Sequence, residues 1–278
     1  MASAQLFDID VQDVEYQNQD GKNWLARVYR PVGAGPFPTM VDVHGGAWNN
    51  GDRMNNTSMD QALAARGVVV ASLDFRQPPE AAYPASIADL NVGTRWLKAH
   101  AAELGGTSAV GAIGVSSGGH MVVLSGLRPT FPSYAALPQP DGTDEDASLA
   151  YVIACWPVID PLYRYLFASK QPGREALLQS HLNYWGSEAG MTAGSPQAIV
   201  EEDESIEKPP ILMMLKANDT NHPVEMQERF VASYRQRGGA ITSETFTGLP
   251  ERGMDASLPE AIRALDMIVD FARQHTPA

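Results

Sequence analysis

The stretch VGAIGVSSGGHMVVL, residues 110–124, decides how this chain is read. Val110 to Val115 is apolar or small throughout and reads as a strand buried on both faces, while Gly118 to Leu127 reads as a helix. Between them Gly114-Val115-Ser116-Ser117-Gly118 has the spacing G-x-S-x-G. Placed between strand and helix, that spacing demands a sharp turn that exposes one serine, and a glycine on either side lets the backbone make it. Ser117 competes for the role, but the spacing centres the turn on Ser116. The helix that follows directs its unsatisfied N-terminal N–H groups at the serine oxygen.

Outward from this turn, strands and helices alternate. Leu25 to Tyr29, Thr39 to Val43, Val68 to Phe75, Ala150 to Trp156, Ile211 to Leu215 and Ile241 to Phe246 read as further strands. Met59 to Arg66, Ser86 to Glu103, Val224 to Arg237 and Leu258 to Arg273 read as helices; in the last, Ile262, Leu265, Ile268, Val269 and Ala272 mark one buried stripe. Such alternation predicts an α/β fold, a mostly parallel sheet with helices on both faces. One region breaks the rhythm: residues 157–205 hold three tyrosines, Trp185 and short helical patches without a clear strand. A small cap inserted into a single domain spanning 1–278 is expected there, over the carboxyl edge of the sheet.

Composition narrows the partners. With 278 residues and 44% apolar content the chain can bury a substantial core, and a formal net charge of −13 opposes binding to nucleic acid or to an acidic membrane. The start, MASAQLFDIDVQDVEY, has neither a positive n-region nor an apolar h-region, and no apolar run is long enough to span a bilayer. The lone Cys155 allows no internal disulfide, and no Cys/His cluster has zinc-ligand spacing. The expectation is a cytoplasmic protein with no metal and no cofactor, free to form an oligomer.

A second element, His44-Gly45-Gly46-Ala47-Trp48, directly follows the strand Thr39 to Val43. Ester hydrolysis passes through a tetrahedral oxyanion, and preorganised backbone N–H groups stabilise it. Paired glycines let amides turn inward, which places the donors at Gly46 and Ala47, joined by Ser117 after the nucleophile. His44 reads as a brace for the loop and His120 as a packed histidine behind the site.

Together these elements resemble the α/β-hydrolase fold, in the hormone-sensitive-lipase-like and carbohydrate-esterase-like branch of small esterases that share HGG-x-W, the BD-FAE-like and kynurenine-formamidase-like proteins among them. HGGAWNNGDR (44–53) is similar to that branch's oxyanion loop. SLDFRQPPEAAYPASIADLNVGTRWL (72–97) is similar to its aspartate–aromatic–arginine strand end and proline-led helix, and LKANDTNHPVEMQERFVASYRQRGG (215–239) to the strand whose loop carries the triad acid. The resemblance runs from about Leu25 to the C-terminus and implies Ser116 as nucleophile and Asp219 as acid, in the chain order Ser, Asp, then a late histidine.

The loop FTGLPERGM, 246–254, departs from that pattern. The resemblance implies a histidine there, and Arg252, or Glu251 if the loop is shifted by one, fills its slot. An arginine has no lone pair to give, so it is no general base. Three readings follow. His222, three residues after Asp219, serves as base, against the stiffness of Pro223 and its closeness to the acid. Alternatively Glu251 acts as a weak base while Arg252 binds a carboxylate-bearing substrate. In the third, the site binds a small ligand without turnover, or serves a lyase that needs only the oxyanion hole. The leading expectation is a serine hydrolase for esters or amides of small acyl substrates.

Overall fold

The computed structural model describes residues 6–19, 21–138, 142–202, 205–249, 254 and 257–276. In chain order its strands are β1 (Ile9–Gln19), β2 (Lys22–Pro31), β3 (Phe37–Val43), β4 (Val69–Leu73), β5 (Gly106–Val115), β6 (Val152–Cys155), β7 (Ile211–Lys216) and β8 (Ile241–Phe246). They form one sheet in the order β1-β2-β4-β3-β5-β6-β7-β8. The β1–β2 and β2–β4 pairs are antiparallel, and every pair from β4 across to β8 is parallel. The helices are α1 (Thr57–Ala65), α2 (Ala85–His100), α3 (Ser117–Leu127), α4 (Pro161–Ala168), α5 (Glu175–Trp185), α6 (Glu188–Ala193), α7 (Pro196–Glu202), α8 (Val224–Gln236) and α9 (Pro259–Gln274).

Central strands read as apolar runs because both faces are buried. Along β7, Ile211, Met213 and Leu215 enter a core shared with α2, α3 and α8, and Leu212 and Met214 enter one shared with α1 and α9. The expected stripe on α9 holds for Leu265, Ile268, Val269 and Ala272, whereas Ile262 is exposed. Among the described residues no helix is long and apolar enough to cross a membrane.

The edge strand β1 escapes hydrophobic periodicity because charge pairing secures much of it. Asp10 pairs with Arg30 on β2, and Asp13 with both Arg27 and Arg53. Those two guanidinium groups hold the Asp13 carboxyl well below the usual carboxylate range. Arg53 also pairs with Asp74 just beyond β4, and Arg76 with the buried Asp89 of α2. Arg53 and Asp74 thus tie the loop after β3 to the end of β4, and Arg76 and Asp89 tie that end to α2.

Strand order reverses between β3 and β5, and in open α/β sheets the crevice at such a point, outside the carboxyl ends of the strands, receives ligands. Both glycine-bearing loops open there. Gly118 is needed at this place: a Cβ on it would collide with the carbonyl oxygens of Val43 and His44 at the end of β3. Gly118→Ala should therefore lower the unfolding free energy by about 3 kcal/mol or more, read by urea denaturation. A loss well under 1 kcal/mol would contradict so close an approach of α3 to β3.

Candidate active site

Ser116 forms the turn between β5 and α3 with φ 56° and ψ −114°, a strained conformation for a residue with a Cβ. Neighbouring backbone holds it there. Its N–H donates to the Cys155 carbonyl at 2.9 Å, and its own carbonyl accepts from Val158 and His120, each at 3.1 Å. The loop after β3 carries two more residues of this kind, Ala47 (φ 51°) and Trp48 (φ 62°), beside Gly46 at φ 116°. A Cβ on Gly45 would lie 3.3 Å from Ser116 Cβ, so this loop runs directly alongside the serine. The Trp48 N–H donates to Ser117 Oγ at 3.2 Å and ties the loop to α3. Among the described residues the N–H groups of Gly46, Ala47 and Ser117 have no hydrogen-bond acceptor.

The loop after β7 supplies the rest. Asp219 Oδ1 accepts the backbone N–H of Asn221 at 2.8 Å and of His222 at 3.0 Å, closing a tight turn that brings His222 back toward its own acid. The His222 Nδ1–H then donates to Asp219 Oδ2 at 2.8 Å. On the other side of the ring, Ser116 Oγ–H donates to His222 Nε2 at 2.9 Å. The imidazole is 6% exposed and so is shielded from bulk water. Neither Pro223 nor closeness in sequence prevents it from facing both groups: Pro223 caps the N-terminus of α8. Arg174, which precedes α5, clamps the loop from outside by donating to Asn221 Oδ1 at 2.7 Å and to the Thr220 carbonyl at 3.2 Å.

The other histidines are occupied elsewhere. His44 stacks on Phe75 with centroids 4.4 Å apart and donates from Nδ1 to the Gly45 carbonyl. His120 accepts the Trp48 indole N–H and donates to the Gly194 carbonyl. Both residues are buried, and desolvation lowers both, His120 to about 3.

Residues 27–233 match the BD-FAE family. The chain belongs to that family. Over 217 residues, 73% of this chain, it is 28% identical to the probable carboxylic ester hydrolase LipM of Mycobacterium tuberculosis, and over 115 residues, 40% of it, 36% identical to esterase LipC of the same organism. Those matches cover 46% of LipM and 28% of LipC, so the chain spans less than half the length of either relative. Among solved structures, esterase B from Lactobacillus rhamnosis superposes with a TM-score of 0.78 at 19% identity, covering 96% of this chain and 86% of that one. The butyrate-bound esterase Est2 of Thermogutta terrifontis gives 0.73 at 21% identity, with 95% and 94% covered. At such identities the likeness is one of fold, the α/β-hydrolase fold.

In this BD-FAE-family chain the structure brings Ser116, Asp219 and His222 into one hydrogen-bonded line, with Gly46 and Ala47 on the loop after β3 beside the serine and Ser117 opening α3. The imidazole in hydrogen-bond contact with Ser116 comes from the loop after β7. Glu251 and Arg252 lie outside the described residues, while Met254 beyond them is buried, with its carbonyl accepting from Ser58 of α1 at 3.2 Å. Two neighbours were not singled out in the sequence. One is Arg174. The other is Arg164 on α4, whose signal was a single cation in an otherwise aromatic and apolar helix, PLYRYLFA.

Burial lowers the His222 pKa, the hydrogen bond and charge of Asp219 oppose that, and the positive charges of Arg164 and Lys216 lower it further; the net direction is down. Burial raises Asp219, but the hydrogen bonds from His222 and Asn221 outweigh it and keep the carboxylate ionised. His222 is therefore neutral, and a competent base, at neutral pH. NMR titration of labelled histidine should place its midpoint below the ordinary 6.5, lower still in Asp219→Asn and higher in Arg164→Met. A wild-type midpoint above 6.5 would contradict the burial and charges described.

Proposed function

We propose that this chain is a serine hydrolase acting on carboxylic esters, or amides, of small acyl substrates. The observation that carries the reading is the continuous chain Ser116 Oγ to His222 Nε2 at 2.9 Å and His222 Nδ1 to Asp219 Oδ2 at 2.8 Å. Esterase names among the relatives support it. Ser116 Oγ adds to the acyl carbon while its proton passes to His222 Nε2. The carbonyl oxygen becomes an oxyanion facing the N–H groups of Gly46, Ala47 and Ser117, which need no reorganisation to receive it. The bond to the leaving oxygen or nitrogen then breaks, and that atom takes the proton from Nε2. Water repeats the cycle on the acyl-serine, releasing the acid and restoring Ser116. Asp219 stays ionised throughout and holds the tautomer that leaves Nε2 free to accept.

A binding protein or a lyase would need no base beside Ser116, so the contact between Ser116 Oγ and His222 Nε2 favours hydrolysis over both. We further propose that helices α4 to α7 are a cap on the site. Its support is the burial of Trp48, from the oxyanion loop, against Tyr184 (stacked, 5.3 Å) and Trp185 (edge-on, 5.3 Å) of α5.

On p-nitrophenyl butyrate, Ser116→Ala and His222→Ala should each lower kcat by about a million-fold to one shared floor, with no further fall in the double variant. Activity retained in either would overturn the corresponding assignment. Asp219→Asn keeps an acceptor for the turn amides but loses the charge and the correct tautomer. It should lower kcat by about 10,000-fold while the thermal midpoint stays near wild type. A fully active Asp219→Asn would remove the acid from the mechanism.

A further inference from the structure

Arg164 is a buried cation without a counter-ion among the described residues. It is 2% exposed, and no carboxylate among the described residues lies in ion-pair contact with it. Its Nε–H donates to His181 Nε2 at 3.1 Å, and His181 in turn donates from Nδ1 to the Leu177 carbonyl at 2.9 Å, so its acceptor is neutral. Its Nη2 is buried with no acceptor among the described residues. A lone guanidinium in such a place costs several kcal/mol of desolvation unless something returns it. Burial lowers its pKa to about 9, against the opposing charge of Asp219, which leaves it a cation at neutral pH.

Its position is informative. The guanidinium carbon sits 4.9 Å from the centre of the Trp48 ring, and Trp48 follows Ala47 in the oxyanion loop and bonds through its N–H to Ser117. Its charge reaches both Asp219 and His222. A second buried donor, the Trp185 indole N–H, also lacks an acceptor among the described residues, and Trp185 packs edge-on against the same Trp48. Two orphaned donors flank Trp48, and what is missing from this cluster is an acceptor. The planar fork of an arginine suits a carboxylate.

We propose that Arg164 binds a free carboxylate on the substrate, so that the preferred esters are those with an anionic group at the far end of the acyl chain, such as half-esters of dicarboxylic acids. The inference rests on the serine-hydrolase reading for the orientation of the ester, but not for the anion site itself. A net charge of −13 works against any anionic substrate, so a preference for one has to come from a local cation.

Mono-p-nitrophenyl glutarate and p-nitrophenyl valerate share one acyl length and differ by the terminal carboxylate. The wild type should favour the glutarate ester by about 10- to 100-fold in kcat/KM, chiefly through KM. In Arg164→Met that ratio should fall to one or below, and Arg164→Lys should keep part of it. A wild-type ratio of one or less, or a ratio unchanged in Arg164→Met, overturns the proposal. Calorimetric titration with free glutarate reads the anion site without hydrolysis: binding should weaken at least tenfold in Arg164→Met, and binding indifferent to Arg164 again overturns it. Hydrolysis that persists in Ser116→Ala would sink the serine-hydrolase reading while leaving the glutarate titration to decide the anion site. Should Arg164→Met fail to fold, the wild-type ratio and Arg164→Lys decide alone.

Discussion

Asp219 Oδ1 accepts the amides of Asn221 and His222 while Oδ2 accepts the Nδ1–H of the same His222, so the acid closes the turn that delivers its partner. The position of the imidazole on Ser116 depends on that turn. A histidine three residues from an aspartate cannot reach past it along an extended chain; it does so here because the backbone is folded back by two hydrogen bonds to the carboxylate. Arg174, just before α5, holds Asn221 and Thr220 from outside.

The turn acts on a serine that the sheet has already fixed. Four residues other than glycine have positive φ among those described: Ala47, Trp48, Ser116 and Trp156. All four stand at the carboxyl ends of β3, β5 and β6. Such conformations cost of order 1–3 kcal/mol each and persist where surrounding structure over-determines them. Here the bonds from Ser116 to Cys155, from Trp48 to Ser117 and from Trp156 to the Met214 carbonyl do so. Strain concentrated at the strand-order reversal marks where the fold presents its chemistry.

The sequence revealed whatever depends on local pattern. Two-sided strands showed as apolar runs, and the turn at Ser116 and the loop after β3 showed as glycines at spacings that sharp turns require. Asp219 was legible through its place at a strand end. What escaped depends on geometry between distant segments. β1 is held by Asp10 and Asp13 reaching arginines on β2 and beyond, which leaves its sequence polar and without period. His222 could be named, but whether its ring faces Ser116 turns on an aspartate-closed loop that spacing alone does not specify. Arg164 sits seventeen residues before its acceptor His181 and on a different chain segment from Trp48, so only packing brings them together.

The central claim is that His222 is the base for Ser116, and serine-directed labelling tests it without depending on any substrate. A fluorophosphonate should modify the wild type once, on the peptide bearing Ser116, at a rate that falls as pH drops through a midpoint below 6.5, as the depressed His222 pKa requires. In His222→Gln the label should go to the same serine about 100-fold or more slowly, since base catalysis of this kind contributes roughly 100- to 10,000-fold. Equal labelling rates in the two proteins, or a label on another residue, would contradict the account.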